Sequence, residues 1–110
     1  GVYGKVGAST PNVDELAKDG VVYENALTSI PITLPSHSSM MTGKVPFTHG
    51  VRDNGLFNLD SNQDTLAEIL KSKGYATGAA IGSFPLTSQF GINQGFDYFN
   101  EHIEQKFETQ

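Results

Sequence analysis

Residues 76–82 are the segment that most constrains the fold, because their side chains are small or apolar and none is charged. A short uncharged segment of this kind is typical of a strand that is covered on both faces, as strands are in a parallel sheet. Helix signals precede it along the chain, and helices flank sheets of that type. The sequence therefore predicts an α/β fold with part of a mostly parallel sheet and flanking helices.

Three segments carry the start and stop signals of helices. In the first, Thr10 can act as the N-cap, Pro11 suits the first helical position and Gly20 follows the last turn. In the last, Thr65 and Glu68 have the spacing of a capping box. The predicted helices cover residues 11–19, 35–42 and 64–73.

The rest of the chain is predicted from weaker patterns. A second strand is expected over residues 21–27, which begin with β-branched and aromatic side chains. Residues 44–62 follow neither helical nor strand periodicity, which predicts a long loop. Residues 101–110 are expected to form a polar helix. Apolar side chains expected to pack on the core are Met40, Met41, Phe84, Phe90, Phe96, Tyr98 and Phe99.

The composition excludes several classes of function. At 37% hydrophobic and 17% charged residues, the chain is neither a disordered tail nor a membrane span. Its formal charge of -5 and scattered Lys and Arg argue against nucleic acid as the main partner. The absence of cysteine excludes disulfides, a thiolate nucleophile and a zinc–thiolate site. The 110 residues fit one domain or part of one.

The best candidate for chemistry is Thr33, just ahead of the helix predicted over residues 35–42. Pro35 suits the first turn of that helix, and Gly43 suits the position after its end. Free backbone N–H groups at the helix N-terminus would then hold a tetrahedral anion beside the Thr33 hydroxyl. A threonine hydroxyl is a poor nucleophile near neutral pH, so it needs a metal or a general base.

Each candidate residue also has a purely structural interpretation. Thr33 could simply cap a turn, as most threonines before helices do. His37 would either point at the same anion or bond to the backbone as a partly buried side chain. Asn54 lies in an ordinary turn sequence, where the roles of turn former and anion ligand are compatible. Arg52 would either steady an anion or pair with a surface acid.

Short motifs follow one another along the chain, at residues 10–17, 33–37, 41–43, 48–54, 66–70 and 91–97. They include Thr-Leu-Pro-Ser-His at 33–37 and Met-Thr-Gly at 41–43. In this order and spacing they resemble the sulfatase family of the alkaline phosphatase superfamily. The resemblance covers nearly the whole chain and implies the fold of the N-terminal portion of an alkaline-phosphatase-like domain.

Two positions depart from the usual sulfatase pattern. The resemblance puts Thr33 where typical sulfatases carry the cysteine or serine that becomes formylglycine, and it puts His37 where they carry arginine. The motifs are also similar to the nucleotide pyrophosphatase and phosphodiesterase branch of the superfamily. In that branch an unmodified threonine attacks phosphorus and an asparagine contacts a phosphoryl oxygen, roles that fall on Thr33 and Asn54.

The resemblance implies a hydrolase of sulfuric or phosphoric esters in which Thr33 is a metal-activated nucleophile and a metal contact. His37 would assist, while Asn54 and Arg52 would bind the anion of the substrate. The divalent metal would be calcium, as in sulfatases, or a zinc pair, as in the phosphodiesterases. The expected partner is a small-molecule sulfate or phosphate ester, with no nucleic acid and no membrane. The alternative is a non-catalytic anion-binding or scaffold module derived from the same fold.

The resemblance also implies that residues 1–110 form a single partial domain. In the family, a strand with metal-binding aspartates precedes the matched segment, and an Asp-His metal pair lies well beyond it. The chain alone is therefore expected to be inactive. An incomplete sheet would leave an unpaired edge, which predicts self-association.

Overall fold

The computed structural model describes residues 1–4 and 6–103. Two 3₁₀ turns, Phe84–Leu86 and Ser88–Phe90, lie in the connection between the two strands. The helices are α1 (Pro11–Asp19), α2 (Thr33–Thr42), α3 (Pro46–His49) and α4 (Leu66–Ser72), and the strands are β1 (Gly78–Ala80) and β2 (Tyr98–Asn100).

The two strands form a parallel pair, which confirms the predicted α/β class with a parallel sheet and flanking helices. A long connection separates them, as parallel pairing requires. Within the described ranges no third strand joins the pair, so each strand has one outer edge. Self-association through these edges stays a prediction. The paired residues are Gly78 with Tyr98, Ala79 with Phe99, and Ala80 with Asn100.

The strand predicted over residues 21–27 is wrong. These residues form an irregular and exposed segment, in which Val21 is 80% and Leu27 is 95% exposed. A β-branched sequence becomes a strand only where a neighbouring strand pairs with it and its side chains can pack. No strand in the described part of the chain pairs with this segment.

The strand predicted over residues 76–82 is present but shorter, since pairing is confined to Gly78–Ala80. Within Gly78–Ala80 only Ala79 is partly buried, so the prediction that this strand is covered on both faces is wrong. β2 was not predicted, because its aromatic residues indicated core packing rather than strand pairing. The side chains of β2 alternate between the two faces of the sheet, since Phe99 faces inward while Tyr98 is 64% exposed.

Leu34 of α2 is a fully buried member of the hydrophobic core. Met41, the residue after Met40, packs against this core as predicted. Met40 is 62% exposed, contrary to the prediction, because consecutive helical side chains point about 100° apart. The buried core residues that pack with Leu34 are Val51, Leu59, Leu86, Phe90 and Ile92, with Met41, Phe57, Ile81 and Phe99 partly buried around them.

The predicted aromatic anchors divide into two groups. Phe90 is buried, and Phe96 packs its ring on that of Phe99 with the centroids 5.9 Å apart. Phe84 is 55% exposed, although its ring meets that of Phe90 edge to face at 5.6 Å. The tail beyond residue 83 is therefore anchored by Phe90, Phe96 and Phe99, and the prediction is wrong for Phe84 and Tyr98.

The predicted helix 64–73 is observed as α4, and its capping box is formed. The Thr65 N–H donates to the Glu68 carboxylate at 2.9 Å, and the Glu68 N–H donates to the Thr65 hydroxyl at 3.2 Å. α1 has the predicted bounds, but the Thr10 hydroxyl donates to the Asp14 carboxylate at 2.9 Å and does not cap the backbone. Pro11 and the first-turn acid therefore define the start of α1.

α1 packs loosely, since no side chain in it is buried and Leu16 is 75% exposed. The predicted loop 44–62 contains one helical turn, α3, which Pro46 opens and Gly50 closes with φ of +83°. Residues 101–103 are not helical, and residues 104–110 of the predicted polar helix lie outside the described residues. None of the helices in the described part is long and apolar enough to cross a bilayer.

We expect Gly95→Ala to destabilise the fold by more than about 2 kcal/mol. Gly95 has φ of +84°, and a Cβ there would lie 2.3 Å from the Glu68 backbone nitrogen at the start of α4. Gly82→Ala is the matched control, because a Cβ at Gly82 meets nothing within 4 Å and its φ is not left-handed. Urea denaturation measures both variants, and equal midpoints would contradict the close contact.

We expect Ser38→Ala to leave stability unchanged or raise it by up to about 1 kcal/mol. Ser38 is fully buried in α2, and among the described residues its hydroxyl has no hydrogen-bond partner. Thr65→Ala is the contrasting variant, since that buried hydroxyl caps α4 and its loss should cost about 1 kcal/mol. Thermal unfolding of the two variants would contradict this reasoning if Ser38→Ala were the more destabilised.

Candidate functional site

The N-terminus of α2 places Thr33 inside the helix rather than ahead of it. The helix begins at Thr33, with Ile32 as the N-cap, and its first backbone hydrogen bond runs from the Ser36 N–H to the Ile32 carbonyl at 3.0 Å. The expected start at Pro35 is therefore two residues late. Thr33 is half-buried in the first turn, and Pro35 is buried in the same turn.

The first turn of α2 offers fewer backbone donors than its sequence predicts. The Leu34 N–H donates to the Asn54 side-chain carbonyl at 2.8 Å, and Pro35 has no N–H. The hydrogen bonds of the described residues include none from the Thr33 N–H. Thr33 thus presents one backbone N–H and one hydroxyl at the positive end of the helix dipole.

Asn54 links the loop after α3 to this helix end. Because its Oδ1 accepts the Leu34 N–H, the hydrogen-bond network assigns the opposite side of the amide to the Nδ2 amino group, which is a donor. The Asn54 N–H donates to the Asp53 carboxylate at 2.8 Å, and Gly55 has φ of +77°, so the turn expected here is present. Asn54 is therefore both a turn residue and a helix cap.

His37 contacts the backbone of Thr33. Its Nδ1 lies 2.7 Å from the Thr33 carbonyl oxygen, and a carbonyl can only accept, so Nδ1 carries the proton. The Nε2 atom is then unprotonated in the neutral ring and can accept a proton. The half-buried ring lines an apolar cavity of about 130 Å³ beneath α2, together with Met41, Ala79, Ile81, Leu86, Ile92, Phe96 and Phe99.

Arg52 is exposed and forms no salt bridge with any of the described residues, so the surface ion pair considered for it is not observed. It lines a cavity of about 380 Å³ with Ile30 and Phe47, the latter 87% exposed. The structure therefore brings the side chains of His37 and Asn54 to the backbone of the first turn of α2, at Thr33 and Leu34. Among the described residues, no hydrogen bond or salt bridge links Arg52 to this turn.

Sequence reasoning missed the pairing of Ser39 with His49. The Ser39 hydroxyl lies 2.9 Å from His49 Nε2, and the Val51 N–H donates to His49 Nδ1 at 3.1 Å. Burial lowers the pKa of the His49 imidazole from its usual value, and the nearby charge of Lys44 lowers it further. The signal available in the sequence was the His-Gly pair at the end of a short turn, which names no partner.

The described residues do not form a metal site by themselves. Across residues 1–4 and 6–103, no three His, Asp or Glu side chains are grouped closely enough to hold a metal ion. Thr33 and His37 could supply two ligand atoms, fewer than the three or four protein ligands of a typical zinc site.

Comparison with known proteins gives one consistent family. The family model described as sulfatase matches residues 1–109. An ulvan-active sulfatase of Formosa agariphila is 37% identical in an alignment that covers 90% of this chain and 20% of that protein. Human arylsulfatase D is 33% identical, again with 90% of this chain and 20% of the relative covered.

The fold agrees with this sequence similarity. The solved structure of a 2-O GAG sulfatase superimposes with a TM-score of 0.75 at 27% identity, covering 96% of this chain and 23% of the other. The chain thus spans about a fifth of the length of the curated relatives it matches. With a family match over nearly its full length and relatives above 30% identity, the chain belongs to the sulfatase family of the alkaline phosphatase superfamily.

Proposed function

We propose that the protein containing this chain hydrolyses a sulfate or phosphate ester with Thr33 as the nucleophile. The observation that supports this most directly is that two polar side chains, those of His37 and Asn54, bond the backbone of the helix turn that Thr33 begins. Thr33 is the first residue of α2, His37 bonds its carbonyl, and Asn54 bonds the next N–H. Membership of the sulfatase family supplies the reaction class.

In the proposed reaction the Thr33 oxygen attacks the sulfur or phosphorus atom and the bond to the ester oxygen breaks. The hydroxyl proton passes to Nε2 of His37, the acceptor atom of its ring, and from there to the departing alkoxide, which leaves as the alcohol. Water then attacks the sulfur or phosphorus atom and breaks its bond to the Thr33 oxygen. One proton of the water returns to Thr33, and the sulfate or phosphate is released.

Binding of the anion is proposed to rest mainly on side chains. Asn54 offers its Nδ2 amino group, since its carbonyl oxygen is used by the Leu34 N–H. Thr33 adds its own N–H at the positive end of α2. Arg52, exposed and with no salt-bridge partner in the described ranges, supplies a positive charge to the oxygens of the ester.

The family implies a divalent metal, and we propose calcium or zinc without choosing between them. A divalent metal, when bound, lowers the pKa of an oxygen ligand, which is the chemistry that would activate the Thr33 hydroxyl. Since the described residues form no metal site, we further propose that residues 1–110 alone do not hydrolyse esters. A non-catalytic anion-binding or scaffold module is the alternative, and it shares the same helix end.

We expect Thr33→Ala in the complete protein to lower kcat by at least about 10³-fold, because the hydroxyl that attacks is removed. Thr33→Ser keeps a hydroxyl at the same position and should retain activity within about tenfold. Hydrolysis of an aryl sulfate, a phosphate monoester and a phosphodiester by each variant identifies the substrate class. Full activity of Thr33→Ala would remove Thr33 from the mechanism, and an inactive wild type that still binds sulfate would favour the scaffold alternative.

We expect residues 1–110 alone to bind inorganic sulfate with millimolar affinity and to show no turnover. A few exposed electrostatic contacts, each of about 0.3 to 1 kcal/mol, allow weak binding only. Amide chemical shifts of Thr33 and Leu34 during sulfate titration measure the binding, and Arg52→Gln should weaken it. Metal-dependent hydrolysis that Thr33→Ala abolishes would contradict the expectation.

A further inference from the structure

His49 lies buried between α2 and the loop that carries Asn54. His49 is the last residue of α3 and is 2% exposed. One ring nitrogen contacts Ser39 of α2, and the other accepts the N–H of Val51, which is itself fully buried in the core. The imidazole therefore joins α2 to the loop that follows α3.

The hydrogen bonds assign the protonation state of this ring. The Val51 N–H can only donate, so His49 Nδ1 must present a lone pair. The proton of the neutral ring is then on Nε2, which donates to the Ser39 hydroxyl at 2.9 Å. In this tautomer His49 cannot take the proton of Ser39, so the pair is not a serine nucleophile with its base, despite its geometry.

The same loop is hydrogen-bonded to α2 at two points. His49 bonds Ser39 in the second half of the helix, and Asn54 bonds Leu34 in its first turn. The order of the contacts is reversed between the two segments, so residues 49–54 run antiparallel to α2. Val51 lies between His49 and Asn54 in the sequence and packs in the same core as Leu34.

We propose that His49 is a positioning residue for the anion site, holding residues 49–54 along α2 so that Asn54 stays on the Leu34 N–H beside Thr33. This rests on the proposed function, because it assumes that Asn54 binds the anion. A proton on Nδ1 would set two donors, the ring N–H and the Val51 N–H, against each other. The neutral ring is therefore the form that holds the loop.

The surroundings of His49 favour the neutral form. Lys44, between α2 and α3, is the charged group that acts on the ring in the described chain, while Ser39 and Val51 carry no charge. Because folding lowers the pKa of His49 below its unfolded value of about 6.5, its contribution is fully present above pH 6.5. That contribution declines as the pH falls from 6.5 through the lower pKa of the folded state.

The test is a double-mutant cycle on sulfate binding by residues 1–110. His49→Gln removes the acceptor of the Val51 N–H, and we expect it to weaken sulfate binding about 5- to 10-fold, as Asn54→Ala does. If His49 acts through Asn54, the double variant is no weaker than Asn54→Ala alone. If the fold-losses of sulfate affinity in the two single variants multiplied in the double variant, His49 would act independently of Asn54 and the proposal would be overturned.

Two further measurements separate positioning from general destabilisation. In the wild type, acidification below pH 6.5 should shift the Leu34 amide resonance and weaken sulfate binding together. His49→Asn, which keeps an acceptor near the Nδ1 position, should abolish this pH dependence, whereas His102→Asn at an exposed site should leave it unchanged. A Leu34 amide resonance that does not shift with pH in the wild type would overturn the proposal, even if a variant failed to fold. Sulfate binding is read without turnover, so this outcome is independent of whether Thr33 is the nucleophile.

Discussion

The hydrogen bond from the Leu34 N–H to the Asn54 side chain is the contact on which the site depends. Leu34 is fully buried, so its N–H has no access to water and would be costly to leave unpaired, by about 1 to 3 kcal/mol. Asn54 satisfies this donor from 20 residues away. The start of α2, the loop after α3 and the hydrophobic core are thereby fixed by one another.

This cap limits the number of backbone donors that the helix end can offer to an anion. A helix end with several free N–H groups would bind an anion through its backbone, whatever its side chains. Here Leu34 gives its N–H to Asn54, and Pro35 has none to give. The backbone of this helix end therefore offers an anion few donors, and the anion binding proposed above would depend on side chains, whose identity single substitutions can change.

The sequence predicted those features whose signals are local. Pro11 and the Thr65–Glu68 capping box located α1 and α4, and the small residues around Ala79 located β1. The strand at 21–27 was wrong and β2 was missed, because strand formation depends on a partner elsewhere in the chain. Thr33, His37 and Asn54 could be named, but the distant cap that begins α2 at Thr33, and the Ser39–His49 contact, join residues that no local pattern connects.

The separation in sequence between Leu34 and its cap, Asn54, also affects how α2 folds. Half of the residues of this helix are serine or threonine, which are weak helix formers, and its own N-cap, Ile32, offers no side-chain acceptor. A short helix of this kind has little stability in the unfolded chain, and the loop of 20 residues must close before Asn54 can reach it. The helix and the loop should therefore form in one cooperative step, so that the positive helix end beside Thr33 arises only with the tertiary structure.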